Sequence, residues 1–192
     1  MPTYPHIALM GPARSGKDTV ASLLVHGYQY TRLAFADRIK EAALTLDPSV
    51  PLPNYPRHFV RLSGMVRIWG WERAKTRQPE VRRLLQQLGQ AMRAVDEEIW
   101  RRPVMDRVAA ATDWNLPVVV SDVRHPDEAD ALQAAGAVLV RIDRPGADAG
   151  PHAGHRSETA LARRVPDFVL LNTGTFTDLA REVESLINEV RK

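Results

Sequence analysis

The stretch "GPARSGKDTVA", residues 11–21, constrains this chain more than any other. It completes the pattern G-x-x-x-x-G-K in Gly11, Gly16 and Lys17, follows the short apolar run "HIALM" (6–10), and opens "DTVASLLV", which has helical spacing. A strand, a glycine turn and a helix in that order make backbone N–H groups converge at the positive end of a helix, where phosphate is held. A plain glycine turn accounts for neither the lysine nor the spacing. Lys17 is therefore the first catalytic candidate, placed to bridge the outer phosphates of a nucleotide and to offset charge as a phosphoryl group moves. Ala13, Arg14, Ser15, Gly16, Lys17, Asp18 and Thr19 are the residues expected to contact the donor. One position departs from the usual pattern: Asp18 stands where a hydroxyl for magnesium is ordinarily found.

Strand and helix signals alternate along the rest of the chain. "YQYTRLAF" (28–35) reads as a second strand and "ADRIKEAALTL" (36–46) as a helix, ended by the proline-rich "DPSVPLPNYP" (47–56). From 58 to about 112 the pattern reads as helical throughout, broken at Gly70, Pro79 and Pro103. "PVVVSD" (117–122) is a buried-strand run, "HPDEADALQAAG" a helix, "AVLVRI" (137–142) a strand, "SETALARR" a short helix, "DFVLL" (167–171) a last strand and "TFTDLAREVESLINEVRK" an amphipathic closing helix. This order predicts an α/β fold with a five-stranded parallel, doubly wound sheet whose ligands bind at the carboxyl ends of the strands. The expected organisation is one domain: a core of 1–46 and 113–192, a helical insertion over about 47–112, and a loop over about 143–157 rich in Gly, Pro and charge.

Composition narrows the function classes. There is no cysteine, which removes disulfides and thiolate metal sites, and no window approaches the roughly 20 apolar residues of a membrane span. A cytoplasmic protein is expected. Net charge is +3, but residues 57–107 carry 12 Lys and Arg against 6 Asp and Glu, so the middle favours an acidic partner. Those basic residues are scattered through predicted helices instead of forming a tail, which argues against a stable nucleic-acid partner.

Asp122 ends an apolar strand, where a carboxylate can hold magnesium or its waters; capping of the next helix is the alternative. Arg124 offers the fork geometry that suits phosphate, and Glu128, four residues on, can orient it. In "EVRRLLQQLGQAMR", Val81, Leu84, Leu85 and Leu88 form an apolar stripe that reads as core, while Arg82, Gln86 and Arg93 lie beside it with the chemistry to hold a base edge or a phosphate. Asn172 and Gly174 follow the last strand, either as contacts to the donor base or as a turn before the final helix. A carboxylate among phosphates repels them unless a cation intervenes, so Asp18 is expected to serve Mg²⁺ or to be held by an arginine, with Thr19 supplying the hydroxyl.

The string Arg14-Ser15-Gly16-Lys17-Asp18-Thr19 resembles the loop of bacteriophage deoxynucleoside monophosphate kinases, in which RSGKDT replaces the usual GKS or GKT. "LAFADRIKEAAL" (33–44), "VRRLLQQLG" (81–89), "IW" (99–100), the span 118–146 and "HRSE" (155–158) continue the likeness in order, with 47–80 the least alignable part. The resemblance implies ATP as donor, Mg²⁺ as cofactor and a deoxynucleoside monophosphate as acceptor. It places Asp122, Arg124 and Glu128 in the monophosphate site and Glu158 among the substrate contacts, adds Lys40 and Trp100 beside the acceptor, reads the helical insertion as acceptor-binding and 143–157 as a lid, and gives Arg144 and Arg156 as candidate arginine clamps. Such an enzyme need not be monomeric, and a homodimer would not be unusual. Two other readings stand beside it. Animal phosphomevalonate kinases resemble the same loop and its late elements, which points to another small phosphorylated acceptor. A nucleotide switch or nucleic-acid-binding ATPase would fit the basic middle, against which no N-K-x-D guanine signature is present.

Overall fold

The computed structural model describes residues 4–52, 54–147, 161 and 163–191. The chain divides into two compact units, Met1–Phe35 with Pro103–Lys192, and Ala36–Arg102.

In the first unit, β1 (Ile7–Met10) is followed by α1 (Lys17–Tyr28) and β2 (Thr31–Leu33). After the second unit the chain continues through α5 (Arg102–Asp113), β5 (Val118–Val120), α6 (Pro126–Ala134), β6 (Val138–Asp143), β7 (Phe168–Leu171) and α7 (Phe176–Val190). The five strands form one parallel sheet, as the alternating sequence pattern predicts, and their order is β2-β5-β1-β6-β7. β1 is central and wholly buried, which is why "IALM" is a continuous apolar run and not an alternating one. Successive side chains face opposite layers. Ile7, Leu9, Val140 and Ile142 pack with Val20 and Leu24 of α1 and Leu179, Val183 and Ile187 of α7. On the other face Ala8, Met10, Val120 and Leu139 meet Val104 and Val108 of α5 and Ala129 and Leu132 of α6.

β2 is shorter than the predicted 28–35. Gln29, left-handed at φ 60°, ends α1 at Tyr28, and the helix α2 already starts at Phe35. Of the predicted helix "SETALARR", only residues 161, 163 and 164 are among the described residues.

The second unit holds α2 (Phe35–Leu46) from its second residue onward, the hairpin β3 (Ser49–Leu52) and β4 (Tyr55–Arg61), α3 (Leu62–Arg77) and α4 (Pro79–Val95). The hairpin corrects the expectation of helix from residue 58. Asn54, at φ 65°, turns the chain, and Ser49, Val50 and Pro51 pair with Arg61, Val60 and Phe59. Pro51 lacks the N–H a central strand needs but is tolerated in this two-stranded ribbon, where one side of each strand is unpaired. The expected break at Gly70 is present as a kink (φ 70°, ψ 164°) inside α3, and Pro79 opens α4. A small core of Ala43, Val50, Leu62, Met65, Ala74 and Val81 holds the unit, with the predicted stripe Leu84, Leu85 and Leu88 and both Trp69 and Trp71 packed against it. The division by contacts thus places α2 with the hairpin and α5 with the sheet. Ala43 belongs to the second unit's core and Val104 and Val108 to the sheet's.

Candidate active site at the carboxyl edge of the sheet

The loop between β1 and α1 has the geometry its glycines imply. Gly11 (φ 139°) and Gly16 (φ 107°) both occupy backbone conformations that side chains disfavour. A Cβ at Gly11 would lie 2.6 Å from the Ile142 carbonyl oxygen, and one at Gly16 would lie 2.5 Å from Asn172 Nδ2. The loop therefore fits β6 and the end of β7 without room for a methyl group. Lys17, 8% exposed, donates to the carbonyls of Gly11 (2.8 Å) and Pro12 (2.6 Å), which holds its charge inside the loop at the start of α1. Asn172 donates from Nδ2 to the Ser15 carbonyl (2.8 Å), and its own N–H donates to the Asp143 carbonyl (2.8 Å). The last strand thus braces the loop at a residue 157 positions away. Gly174 is part of the turn into α7: Asp178 accepts from Thr175 N (2.8 Å) and Oγ1 (2.7 Å), and a Cβ at Gly174 would collide with that carboxylate. These hydrogen bonds hold the Asp178 carboxyl below its ordinary pKa.

Asp18 projects outward, 83% exposed on its side chain, with Arg32 of β2 at 3.9 Å. The arginine beside it is one that the sequence reading did not single out. Thr19 follows in the first turn of α1, half-buried. A groove of about 950 Å³ runs from Asp18 and Thr19 along α1 and α7, past Phe176, to Tyr28 and Glu184.

Asp122 stands just beyond β5. Its Oδ1 accepts from the N–H of Phe35 (2.8 Å), so it caps the start of α2, 87 residues away, and not the helix that follows it. Glu128, 2% exposed, accepts from the main-chain N–H of Arg124 (2.9 Å) and of His125 (3.1 Å). It fixes the backbone turn that carries Arg124. At the end of β6, Arg141 and Asp143 form a two-pronged pair (Nε–Oδ1 2.9 Å, Nη2–Oδ2 3.1 Å) directly before the exposed Arg144. Sequence reasoning missed this pair; the spacing i, i+2 on a strand was its only signal. Arg156, Glu158 and residues 148–157 of the predicted lid lie outside the described residues.

Within the second unit, Arg82, Gln86 and Arg93 are half-buried on α4. Steps of about 100° per residue bring i, i+4 and i+11 to within roughly 40° of one another, so the three share a face. Gly89 lies on it too, where a Cβ would press on Ile39 Cδ1 of α2 at 3.1 Å. Lys40 pairs with Asp37 (2.7 Å) on α2. Trp100 departs from expectation. It is 5% exposed and its indole N–H donates to the Gly89 carbonyl (3.0 Å), so it is a packing residue with no free face for a base.

Among the described residues no three His, Asp or Glu side chains gather into a metal cage. An ion held chiefly by phosphate oxygens needs only one or two protein oxygens. Among the described residues no helix is long and apolar enough to cross a membrane.

Comparison with known proteins agrees with this geometry. Residues 60–183 match the family model described as deoxynucleotide monophosphate kinase. A protein of Acanthamoeba polyphaga mimivirus, named provisionally as a deoxynucleotide monophosphate kinase, is 30% identical over 191 residues, covering 95% of each chain. Uncharacterized protein ORF77 of Ictalurid herpesvirus 1 (strain Auburn) is 31% identical over 130 residues, covering 65% of this chain and 56% of that one. Among solved structures, the dephospho-CoA kinase of Campylobacter jejuni has a TM-score of 0.54 at 13% identity over 97% of each chain. TT1252 of Thermus thermophilus has a TM-score of 0.50 at 21% identity, covering 97% of this chain and 98% of that one. These two carry the fold alone. The sequence relatives are a giant-virus and a herpesvirus protein, and they do not show a bacteriophage origin. With a family model spanning more than half of it and a relative matching nearly all of it, the chain belongs to the deoxynucleotide monophosphate kinase family and is a phosphotransferase of the P-loop type.

Proposed function

We propose that the chain transfers the γ-phosphoryl group of ATP to a deoxynucleoside 5′-monophosphate. The observation that carries this reading is the loop at residues 11–17. Its glycines are fitted against Ile142 and Asn172, and the Lys17 ammonium is held at its mouth. Phosphoryl transfer asks a protein for positioning and charge, not covalent chemistry. Lys17 would move from the loop carbonyls to the outer phosphates, exchanging neutral acceptors for charged ones. The backbone N–H groups of residues 13–19 would take the inner phosphates at the start of α1. The acceptor phosphate is already anionic, so the reaction needs no general base.

Mg²⁺ fits the oxygen donors present. Thr19 and Asp122 offer hard ligands, Asp18 is open to solvent at the position where the loop pattern ordinarily places the metal-binding hydroxyl, and among the described residues the buried hydroxyls of Ser15 and Ser121 have no partner. Held by these residues, the ion would supply positive charge against that developing on the transferring phosphoryl group. Arg124, on the turn fixed by Glu128, is the proposed phosphate fork, and Arg144, exposed after β6, the proposed clamp on the transferring group. Arg82, Gln86 and Arg93, sharing one face of α4, are the proposed acceptor contacts, with Lys40 beside them. Preference for deoxyribose follows the family.

A coupled assay of ADP release over the four deoxynucleoside monophosphates and phosphomevalonate tests the reading. Turnover with at least one deoxynucleotide is expected. Turnover with phosphomevalonate alone would move the chain to the other acceptor class, and salt-sensitive DNA binding without any kinase activity would reject both.

A further inference from the structure

Among the described residues two buried side-chain oxygens have no hydrogen-bond partner, Ser15 Oγ and Ser121 Oγ. The residues are 0% and 1% exposed. Folded chains satisfy nearly all such groups, and each exception asks for a reason, a bound ligand among them. Ser15 belongs to the phosphate loop and is already among the expected donor contacts. Ser121 has no such assignment, and its place in the fold supplies one.

β5 pairs with β1 in the register Ile7 with Val119 and Ala8 with Val120, and beyond the strand the Val123 N–H still donates to the Leu9 carbonyl (3.1 Å). On the other side, the Ser121 N–H donates to the Leu33 carbonyl (3.0 Å). The backbone at Ser121 is therefore held from both flanks in strand-like register. Ile7, Leu9 and Val119 belong to the cluster beneath α1, and the two-residue alternation carries Ser121 to that same face, one step nearer the carboxyl edge. α1 presents Lys17, Val20, Ala21 and Leu24 to this layer, with Lys17 in its first turn. An unsatisfied hydroxyl and the loop lysine thus belong to one layer at one end of the sheet.

We propose that Ser121 is a ligand-contacting residue of the phosphate site, its hydroxyl hydrogen-bonding an oxygen of the metal–triphosphate unit of the donor. This rests on the reading of the loop given above. Serine at this place adds a neutral, buried donor where the neighbouring Asp122 is engaged with Phe35 and carries charge. A hydroxyl with no partner in the chain is also pre-oriented for a ligand, because it breaks no internal bond on binding.

The test is binding of a non-hydrolysable ATP analogue to the full chain and to Ser121→Ala, by calorimetry, with Mg²⁺ and with EDTA, alongside the thermal midpoint of each protein without nucleotide. The alanine variant is expected to melt at or above the parent, since it loses an unpaired hydroxyl, and to bind the analogue about tenfold more weakly, the scale of one hydrogen bond to a charged acceptor. A penalty that persists in EDTA places the contact on a phosphate oxygen; one seen only with Mg²⁺ places it on a metal-bound water. Equal affinity in both arms overturns the proposal. So does a midpoint lowered by many degrees, which would make the hydroxyl structural. Lys17→Ala separates the two levels. If it binds as the parent does, the phosphate-loop reading fails and this inference with it; if it loses affinity while Ser121→Ala does not, only the inference fails.

Discussion

Bonds from polar side chains to distant main chain brace the loop and sheet of the first unit, whereas the helix surfaces of the second carry ion pairs one turn long. In the sheet unit, polar side chains bond to main chain far away in sequence: Asn172 to Ser15, Asp122 to Phe35, His6 Nδ1 to the Val118 N–H at 3.1 Å. In the unit 36–102 the ion pairs Arg38–Glu41, Lys40–Asp37, Lys75–Glu72 and Arg83–Glu80 each span a single helical turn, beside longer bonds from Gln78 to the Pro51 carbonyl and from Trp100 to the Gly89 carbonyl. Pairs of the second kind are screened by solvent and contribute little each. Bonds of the first kind allow one arrangement only, which is what a reaction driven by positioning requires. The difference teaches where sequence change is tolerated. Helix-surface pairs can be rewritten without consequence for the backbone, whereas one lost amide at Asn172 frees the loop.

Substitutions can break this contrast, and the largest effect belongs to the loop. Lys17→Ala should leave the fold intact, as judged by circular dichroism, and lower kcat by at least about 10²–10³-fold, the scale of removing one transition-state donor. Retention of full activity would mean that the loop does not hold the transferring phosphates. Next comes a coupled pair. Gly16→Ala should cripple nucleotide binding because its methyl would meet Asn172 Nδ2. Asn172→Ala alone should weaken binding by about tenfold, one hydrogen bond. The double variant should then lose less than the sum of the two, because the clash and the bond involve the same amide; strict additivity in a binding cycle would show that Asn172 does not shape the loop.

A smaller effect comes from His6. Its Nδ1 accepts from Val118 and its Nε2 meets Thr112 Oγ1 at 2.9 Å, an arrangement that needs the neutral ring, and burial pushes its pKa below the ordinary value of 6.5. Because the folded-state pKa is the lower one, its contribution is complete above about pH 6.5 and is lost as pH falls through the folded value. The thermal midpoint of the parent should drop between pH 7.5 and 5.5, and His6→Asn should flatten that part of the profile. Smallest of all, Lys75→Ala should shift the midpoint by less than about 2 °C, since the pair it breaks has one partner 80% exposed. A large loss there would erase the distinction between the two units.

The sheet was legible because its signals are local: apolar runs of four to six residues, a glycine pattern and helices with caps. The hairpin was not. β4 carries Arg57 and His58, and its partner contains Pro51, so neither strand shows the alternation that announces one, and only the pairing of Ser49 with Arg61 across the turn creates it. At the site, the loop and its lysine were readable, and so was the placement of Asp122 and Glu128 beyond β5. What Asp122 bonds to was not, since Phe35 lies 87 residues away. Trp100 shows a further limit. An indole that fills a core and one that offers a face are the same letter, and only the Gly89 carbonyl at 3.0 Å decides.

The fit of Gly11 against Ile142 has a consequence for the order in which the molecule is completed. The loop's motif is eleven residues long, yet its shape is set by a strand more than a hundred residues later in the chain and by an amide beyond that. Until β6 and β7 have joined β1, the motif is a flexible glycine segment with nothing to press against. A ligand of the loop therefore finds its binding surface only on the finished sheet, so it stabilises the native state alone and raises the melting midpoint in step with its concentration.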